Sequence, residues 1–312
     1  MTQIVTLTMN PALDISTAVD QVVPTHKLRC SEEKIQPGGG GINVARVIRR
    51  LDMPTTAIYP AGGFTGQILT QALDQEKVDH HCIPIEGETR ECFTVHETSS
   101  GKDFRFLLPG PTLSETEQQS CLSAIDSIGS TARFLVASGS LPPSVPHHFY
   151  ARIAARAKER KQAFVLDTSG EPLRAALAAG VYLFKPSLRE LEELIGSTLS
   201  SESLWRDAAR EIVGSGQAQI VALSLGEEGA LLVTADQTLR APAIPVKVVS
   251  TVGAGDNFVA GILWGLCKNM SLEQAFGYGM ASAAAALLNA HTNLCDPADL
   301  HRLYEQVRVS SL

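Results

Sequence analysis

Gly253-Ala254-Gly255-Asp256 places a carboxylate where bare backbone amides converge, between Ser250-Thr251-Val252 and an apolar run from Phe258 to Cys267. Small residues let the chain turn tightly, and the apolar periodicity beyond them predicts a helix that begins at the turn. A helix N-terminus offers unpaired N–H donors and a partial positive charge, which is the chemistry needed to hold an anion such as a phosphoryl group in transfer. Asp256 is then a poor phosphate ligand but a good acceptor for a hydroxyl proton. The same Asp would also serve as a helix cap, and this stretch alone leaves both roles standing.

A second such site is Pro37-Gly38-Gly39-Gly40-Gly41-Ile42-Asn43-Val44-Ala45-Arg46, where four glycines lead into an amphipathic helix. Asn43, in its first turn, can both donate to and accept from hydroxyls. Neither a P-loop nor a dinucleotide fingerprint is present. Asp14 follows a predicted strand, Gln3 to Met9, and a turn, Asn10 to Asp14. At the carboxyl end of a strand it would face the ligand crevice of an open α/β sheet, or else be a solvated turn residue. Ser138-Gly139-Ser140, Asp167, Lys185 and Ser224-Leu225-Gly226 also fall just past predicted strands. Glu190 sits in the first turn of a helix starting near Ser187, where it caps the macrodipole or holds water around Mg²⁺. His80-His81 and His147-His148 lack an acidic or Cys partner at ligand spacing and read as surface residues.

The elements that must position these residues alternate regularly. Strands are expected at Thr55–Tyr59, Arg133–Ala137, Ala163–Leu166, Tyr182–Phe184, Gln219–Ser224 and Ala230–Val233, with helices at Thr65–Gln75 and Pro146–Arg160. That rhythm predicts an α/β fold, a doubly wound, mostly parallel sheet with helices on both faces. Residues 15–36 and 89–108 alternate without a helical period and predict strands of a separate small sheet, whose apolar face needs cover from a closing ligand or, more simply, from a second copy. No repeat or linker divides residues 1–312, so the core reads as one unit. A net charge of −7 gives no basic footprint for nucleic acid, so an anionic ligand must be held locally. Six scattered cysteines fit reduced thiols in a cytoplasm rather than zinc or disulfides. The first residues read as a strand rather than a signal peptide, and the apolar run from Met280 to Ala290 is too short to span a membrane.

Thr251-Val252-Gly253-Ala254-Gly255-Asp256 and Pro37 to Arg46, near opposite ends of the chain, together resemble the paired signatures of the ribokinase-like sugar kinases, within their phosphofructokinase B family. The likeness runs over essentially the whole chain, including Asn10-Pro11-Ala12-Leu13-Asp14, Ser138-Gly139-Ser140-Leu141-Pro142-Pro143 and Ser224-Leu225-Gly226. It implies a cytoplasmic ATP-dependent kinase with a doubly wound core and a small β lid that clasps its twin in a homodimer. Under this resemblance Asp256 is the base for a sugar C1 hydroxyl, and Gly253, Ala254 and Gly255 form the anion hole. Asp14, Gly39, Gly40, Asn43 and Ser140 surround the sugar, while Lys27 and Arg90 meet its phosphate. Lys185, Ser187, Ser224, Gly226, Gly229 and Thr251 line the nucleotide site, and Glu190 organises Mg²⁺. Ser250, Val252, Ala286 and Asn289 surround a monovalent cation, K⁺. Ser187 stands where the family usually has Asn, and His291 and Asn293 stand where relatives carry Gly and Arg. The expected substrate is fructose 6-phosphate. Tagatose 6-phosphate and fructose 1-phosphate rank second, because kinases for those sugars commonly carry Lys at the place of Gly40. A non-catalytic sugar-phosphate-binding protein is the remaining alternative, against which the intact Asp256 and anion hole argue.

Overall fold

The computed structural model describes residues 3–289 and 294–312. Its first strand, β1 (Ile4–Leu7), ends earlier than the sequence suggests, and the chain leaves at once for a separate sheet through β2 (Ala12–Val19) and β3 (Lys34–Gly38). It returns through α1 (Gly40–Arg50), β4 (Thr55–Ala61), α2 (Gly63–Gln75) and β5 (Asp79–Pro84), then departs again as β6 (Arg90–Glu97) and β7 (Lys102–Leu107). Strict alternation follows: α3 (Glu115–Ile128), β8 (Phe134–Ser138), α4 (Phe149–Glu159), β9 (Ala163–Asp167), α5 (Gly170–Ala179) and β10 (Val181–Phe184). Next come α6 (Leu188–Ile195), α7 (Glu202–Gly214), β11 (Ala218–Ser224), β12 (Ala230–Val233) and β13 (Thr238–Ala241). The chain closes with α8 (Ala254–Cys267), α9 (Leu272–Leu287), α10 (Pro297–Tyr304) and a short β14 (Ser310–Ser311).

The main sheet has ten strands in the order β14-β13-β12-β11-β10-β9-β8-β1-β4-β5, and those from β11 to β5 are parallel. Both faces are covered, as a parallel sheet requires. Val5 and Leu7 pack toward α3 and α4, whereas Ile4 packs toward α1, α8 and α9, so alternate residues of one strand serve opposite cores. From β1 the chain proceeds to β4 on one side, and from β8 to β9 on the other. The gap between β1 and β8 is therefore the switch point, where the carboxyl ends of the strands open a crevice.

The second sheet has four strands in the order β3-β2-β6-β7. Its centre is a parallel pairing of β2 with β6, flanked by antiparallel pairs. Register sorts the side chains: Asp14, Arg90, Cys92, Thr94 and Arg105 share one face, and Leu13, Ile15, Phe93, Val95, Phe104, Phe106 and Ile35 share the other. The first face is mostly polar, although Leu107 shares it, and the second mostly apolar, although Glu91 shares it, with Phe106 and Ile35 exposed.

Three expectations are corrected. Asp14 is not at a strand end or in a turn; it lies inside β2, because Asn10-Pro11 is only a short break before the next strand. Lys27 is not in a strand but exposed in the connection between β2 and β3, where Pro24 and a left-handed Thr25 (φ 66°) prevent pairing. His80 is not a free surface residue: on the edge strand β5 its Nε2 lies 3.1 Å from Asp74 and its Nδ1 3.2 Å from the Tyr59 hydroxyl.

Candidate active site

Two helix starts meet over the switch point. α8 begins after Gly253, whose φ of 76° places it in the left-handed region, and no side chain caps its first amides. Its third residue is Asp256. Asn257, wholly buried, holds the turn in shape by donating from Nδ2 to the Gly253 carbonyl at 2.8 Å and accepting from the Cys295 amide at 3.1 Å. α1 begins at Gly40, where a Cβ would lie 2.0 Å from Ser138 Oγ and 3.0 Å from Asp256 Oδ1. Only a glycine lets the two elements approach this closely.

Asp256 is held from both sides: its Oδ2 accepts from Asn43 Nδ2 at 3.0 Å, and its Oδ1 from the Ser138 hydroxyl at 3.4 Å. The same hydroxyl lies 3.4 Å from Asp167 Oδ2, so its single proton serves one carboxylate at a time. Burial first, and the charge of Asp167 second, push the Asp256 carboxyl up to about 7, while the bonds from Asn43 and Ser138 and the nearby Lys185 resist. A carboxylate poised there is matched to taking a proton near neutral pH.

Lys185, directly after β10, is buried with its Nζ 3.2 Å from Asp167 Oδ1 and against the backbone of Gly255. Burial alone would favour its neutral form, but Asp167, Glu190 and Asp256 outweigh that and hold it charged. Burial keeps Asp167 above the ordinary carboxylate range despite the ammonium beside it. A cation is thus fixed at the first turn of α8, adding to its dipole on the side where an anion would arrive.

The polar face of the small sheet supplies the opposite wall. Burial raises the Asp14 carboxyl to about 6 against the pull of Arg105, Arg46 and Arg90, and its oxygens lie over Gly38. Arg90 donates from Nη1 to the Leu108 carbonyl at 3.0 Å and from Nη2 to the Asn10 carbonyl at 2.9 Å, and its buried Nε has no partner among the described residues. Asn10 Nδ2 in turn donates to Ser140 Oγ at 3.2 Å.

On the far side, Ser187 caps α6 in a capping box with Glu190: Ser187 N and Oγ donate to Glu190 Oε2 at 2.7 and 2.8 Å. A serine therefore caps this helix. Ser224 joins this corner through its amide, 2.9 Å from the Pro186 carbonyl. Gly226 borders open space, whereas a Cβ at Gly229 (φ 97°) would lie 2.2 Å from the Ala241 carbonyl, so Gly229 is fixed by packing against the end of β13. Among the described residues no three His, Cys, Asp or Glu side chains gather into a metal cage. The donors here suit a Mg²⁺ that keeps phosphate oxygens and water as most of its ligands. Beside α8, Val249 N donates to the Leu287 carbonyl at 2.8 Å and Asn289 Nδ2 to the Ala285 carbonyl at 3.1 Å, so the segment with Ser250 and Val252 abuts the one with Ala286 and Asn289. His291 and Asn293 lie outside the described residues.

The crevice thus gathers Asp256, Gly253, Ala254, Gly255, Asn43, Gly40 and Lys185 at one point, with Asp14 and Arg90 across from them. Lys27 stays exposed in the connection between β2 and β3. Sequence reasoning gave no role to Arg105, Arg46 or Ser138. The signal for Arg105 was the alternation Phe104-Arg105-Phe106, which places a charge opposite two aromatics on one strand.

A family model for pfkB carbohydrate kinases matches residues 7–299. The chain is 46% identical over 303 residues to ATP-dependent 6-phosphofructokinase isozyme 2 of Mycobacterium tuberculosis, covering 97% of this chain and 89% of that protein. It is 32% identical to 1-phosphofructokinase of Bacillus subtilis, over 99% of this chain and all of the other. Crystal structures of Escherichia coli phosphofructokinase-2, in complex with fructose-6-phosphate and with potassium, superpose with TM-scores of 0.92 and 0.93. They are 40% and 41% identical, and each match covers 98% of this chain and 99% of that one.

Proposed function

The chain belongs to the pfkB family of carbohydrate kinases, and on that footing we propose that it is an ATP-dependent 6-phosphofructokinase, phosphorylating the C1 hydroxyl of fructose 6-phosphate. The observation that carries the proposal is the convergence of the α1 and α8 starts on Asp256, with Lys185 beside the bare amides of the Gly253–Gly255 turn. Asp256 takes the hydroxyl proton, and Asn43 and Ser138 aim its two oxygens. The amides of Gly253, Ala254 and Gly255 with Lys185 hold charge on the group in transfer, and Asp14, Gly39, Gly40 and Ser140 orient the sugar. Bound Mg²⁺–ATP supplies the phosphoryl group and neutralises its charge, at a site we assign to Ser187, Glu190, Ser224, Gly226 and Thr251. Phosphoryl transfer leaves the protein mostly positioning and electrostatic work, which these groups can do. Ser250, Val252, Ala286 and Asn289 are assigned to K⁺ on the strength of the potassium complex of the E. coli relative. Six free thiols accord with a reducing cytoplasm.

Fructose 1-phosphate and tagatose 6-phosphate kinases are the second reading. Gly40 disfavours it, since any side chain there must first displace Ser138. The deciding assay couples ADP release to a panel of fructose 6-phosphate, fructose 1-phosphate, tagatose 6-phosphate and fructose. The highest kcat/KM is expected for fructose 6-phosphate; a higher value for another sugar, or no ADP release with any, overturns the assignment.

The small sheet we assign as a lid that clasps a second copy. Its apolar face supports this, with Phe106 52% and Ile35 45% exposed and Ile15, Phe93, Val95 and Phe104 only half-buried, a patch that a soluble monomer seldom leaves open. Phe106→Asp is expected to shift sedimentation from dimer to monomer and to lower activity in parallel. A Phe106→Asp monomer with full activity would separate the clasp from catalysis.

A further inference from the structure

Arg46 is the largest wholly buried side chain among the described residues, and its hydrogen bonds point toward the site or its supports. Nε and Nη2 grip the two oxygens of Glu76, at the end of α2, at 2.8 and 2.5 Å. Nη1 donates to the Pro37 carbonyl at 3.0 Å, just before the glycine run, and to Asn43 Oδ1 at 3.1 Å. The other end of that amide, Nδ2, donates to Asp256 Oδ2 at 3.0 Å. A guanidinium has only donors and does not deprotonate, so whatever faces it must be an acceptor. The Asn43 oxygen is thereby committed to Arg46, and its nitrogen is left facing Asp256.

We infer that Arg46 is a positioning residue for the transfer reaction: by fixing which way the Asn43 amide points, it guarantees that Asp256 meets a donor rather than a second oxygen. An Asn amide without that anchor is held only by the carboxylate, and whenever it turns Oδ1 inward two oxygens face each other, which is tolerated only if a proton lies between them. The ionised form of Asp256 is the one that can accept the hydroxyl proton, so the flip would remove the base from use. Glu76 holds Arg46 in turn, and remains partly open to solvent with Arg50 Nη2 4.0 Å from it.

The inference rests on Asp256 being the base, and the test separates the two. The groups facing Asp256 are Asn43 from α1, Ser138 from β8, Asp167 from β9 and Lys185 after β10, with Glu190 of α6 acting on the latter two. Asp14 feels Arg46 directly, together with Arg90 and Arg105. The experiment measures kcat against pH for wild type, for Arg46→Met with Glu76→Leu, which removes the buried pair without stranding a charge, for Arg46→Lys and for Asn43→Ala. In the paired variant the acid limb of kcat should move up by about one to two pH units, the size expected for losing a hydrogen bond to a charged group, with KM for ATP nearly unchanged. Arg46→Lys, which cannot reach all three partners at once, should move it less and in the same direction, and serves if the apolar pair does not fold. In an Asn43→Ala background the Arg46 changes should have no further effect on the limb. A limb that stays put, or one that moves equally without Asn43, overturns the inference; the second result would mean that Arg46 acts through its charge alone. Failure of the underlying reading looks different, as Asp256→Asn would then turn over normally.

Discussion

Asp256→Asn should lower kcat by about 10²–10⁴-fold while leaving nucleotide affinity nearly unchanged, because it keeps the shape and the bond to Asn43 but removes the proton acceptor. It should also make the protein more stable at pH 8, and that second effect follows from the same geometry. Burial raises the Asp256 carboxyl to about 7 in the fold, against 3.8 for an unperturbed group. The folded state therefore binds a proton that the unfolded chain has released over this range. The stabilisation from that bound proton is fully present below the unfolded value and is lost as pH rises through about 7. Above it the ionised carboxylate costs about 2–4 kcal/mol, and Asn does not carry that cost. Denaturation midpoints at pH 5 and pH 8 should show the variant's advantage growing with pH. A normal kcat would reduce Asp256 to a helix cap, and an advantage that does not change with pH would assign it to something other than the charge.

Arg90→Ala should lower kcat/KM for fructose 6-phosphate by about 10–100-fold, the loss expected for a charge-assisted hydrogen bond of roughly 1.5–3 kcal/mol, with the ATP parameters little changed. The chain carries a net charge of −7, so a sugar phosphate needs a dedicated cation, and Arg90 lies on the polar face of the small sheet beside Asp14 and Arg105. Two of its nitrogens hold the Leu108 and Asn10 carbonyls, which fixes the guanidinium plane, and its buried Nε has no partner among the described residues. A purely structural Arg90 would affect fructose and fructose 6-phosphate alike. The discriminating quantity is the ratio of kcat/KM for the two sugars: a fall assigns the phosphate to Arg90, and an unchanged ratio moves the phosphate contact to another residue.

The legible parts of this site were those where a local motif coincides with the end of a strand. The glycine runs before Asn43 and Asp256, and the polar residues at or just past the ends of β8, β9, β10 and β11, could be placed because a parallel sheet puts every strand's carboxyl end on one edge. Asp14 was misplaced because Asn10-Pro11 carries the chemistry of a turn while the backbone resumes as strand almost at once. Lys27 was misplaced because alternation persists through a connection that Pro24 and Thr25 keep out of the sheet. α3 went unread since its polar, serine-rich sequence masks the helical period, although Ser114 and Glu117 form a capping box that the sequence spells out. The partnership of Arg46 with Glu76 could not be read at all. It depends on how α1 and α2 pack, and no spacing along the chain encodes that.

The small sheet is held less firmly than the large one. Both sheets join segments far apart in the chain, β2 with β6 in the one and β1 with β8 in the other, so neither forms by local search. The large sheet is repaid by a core on each face, whereas the small sheet leaves one apolar face exposed and is repaid least. That exposure and its few buried neighbours place it at the low end of local stability. Amide hydrogens of 12–19 and 90–97 should exchange well before those of β8 and β9, and equal protection in both sheets would show that the two form a single cooperative unit. Such a chain would hold its core more firmly than the sheet we assign to the sugar, and would lose that sheet first.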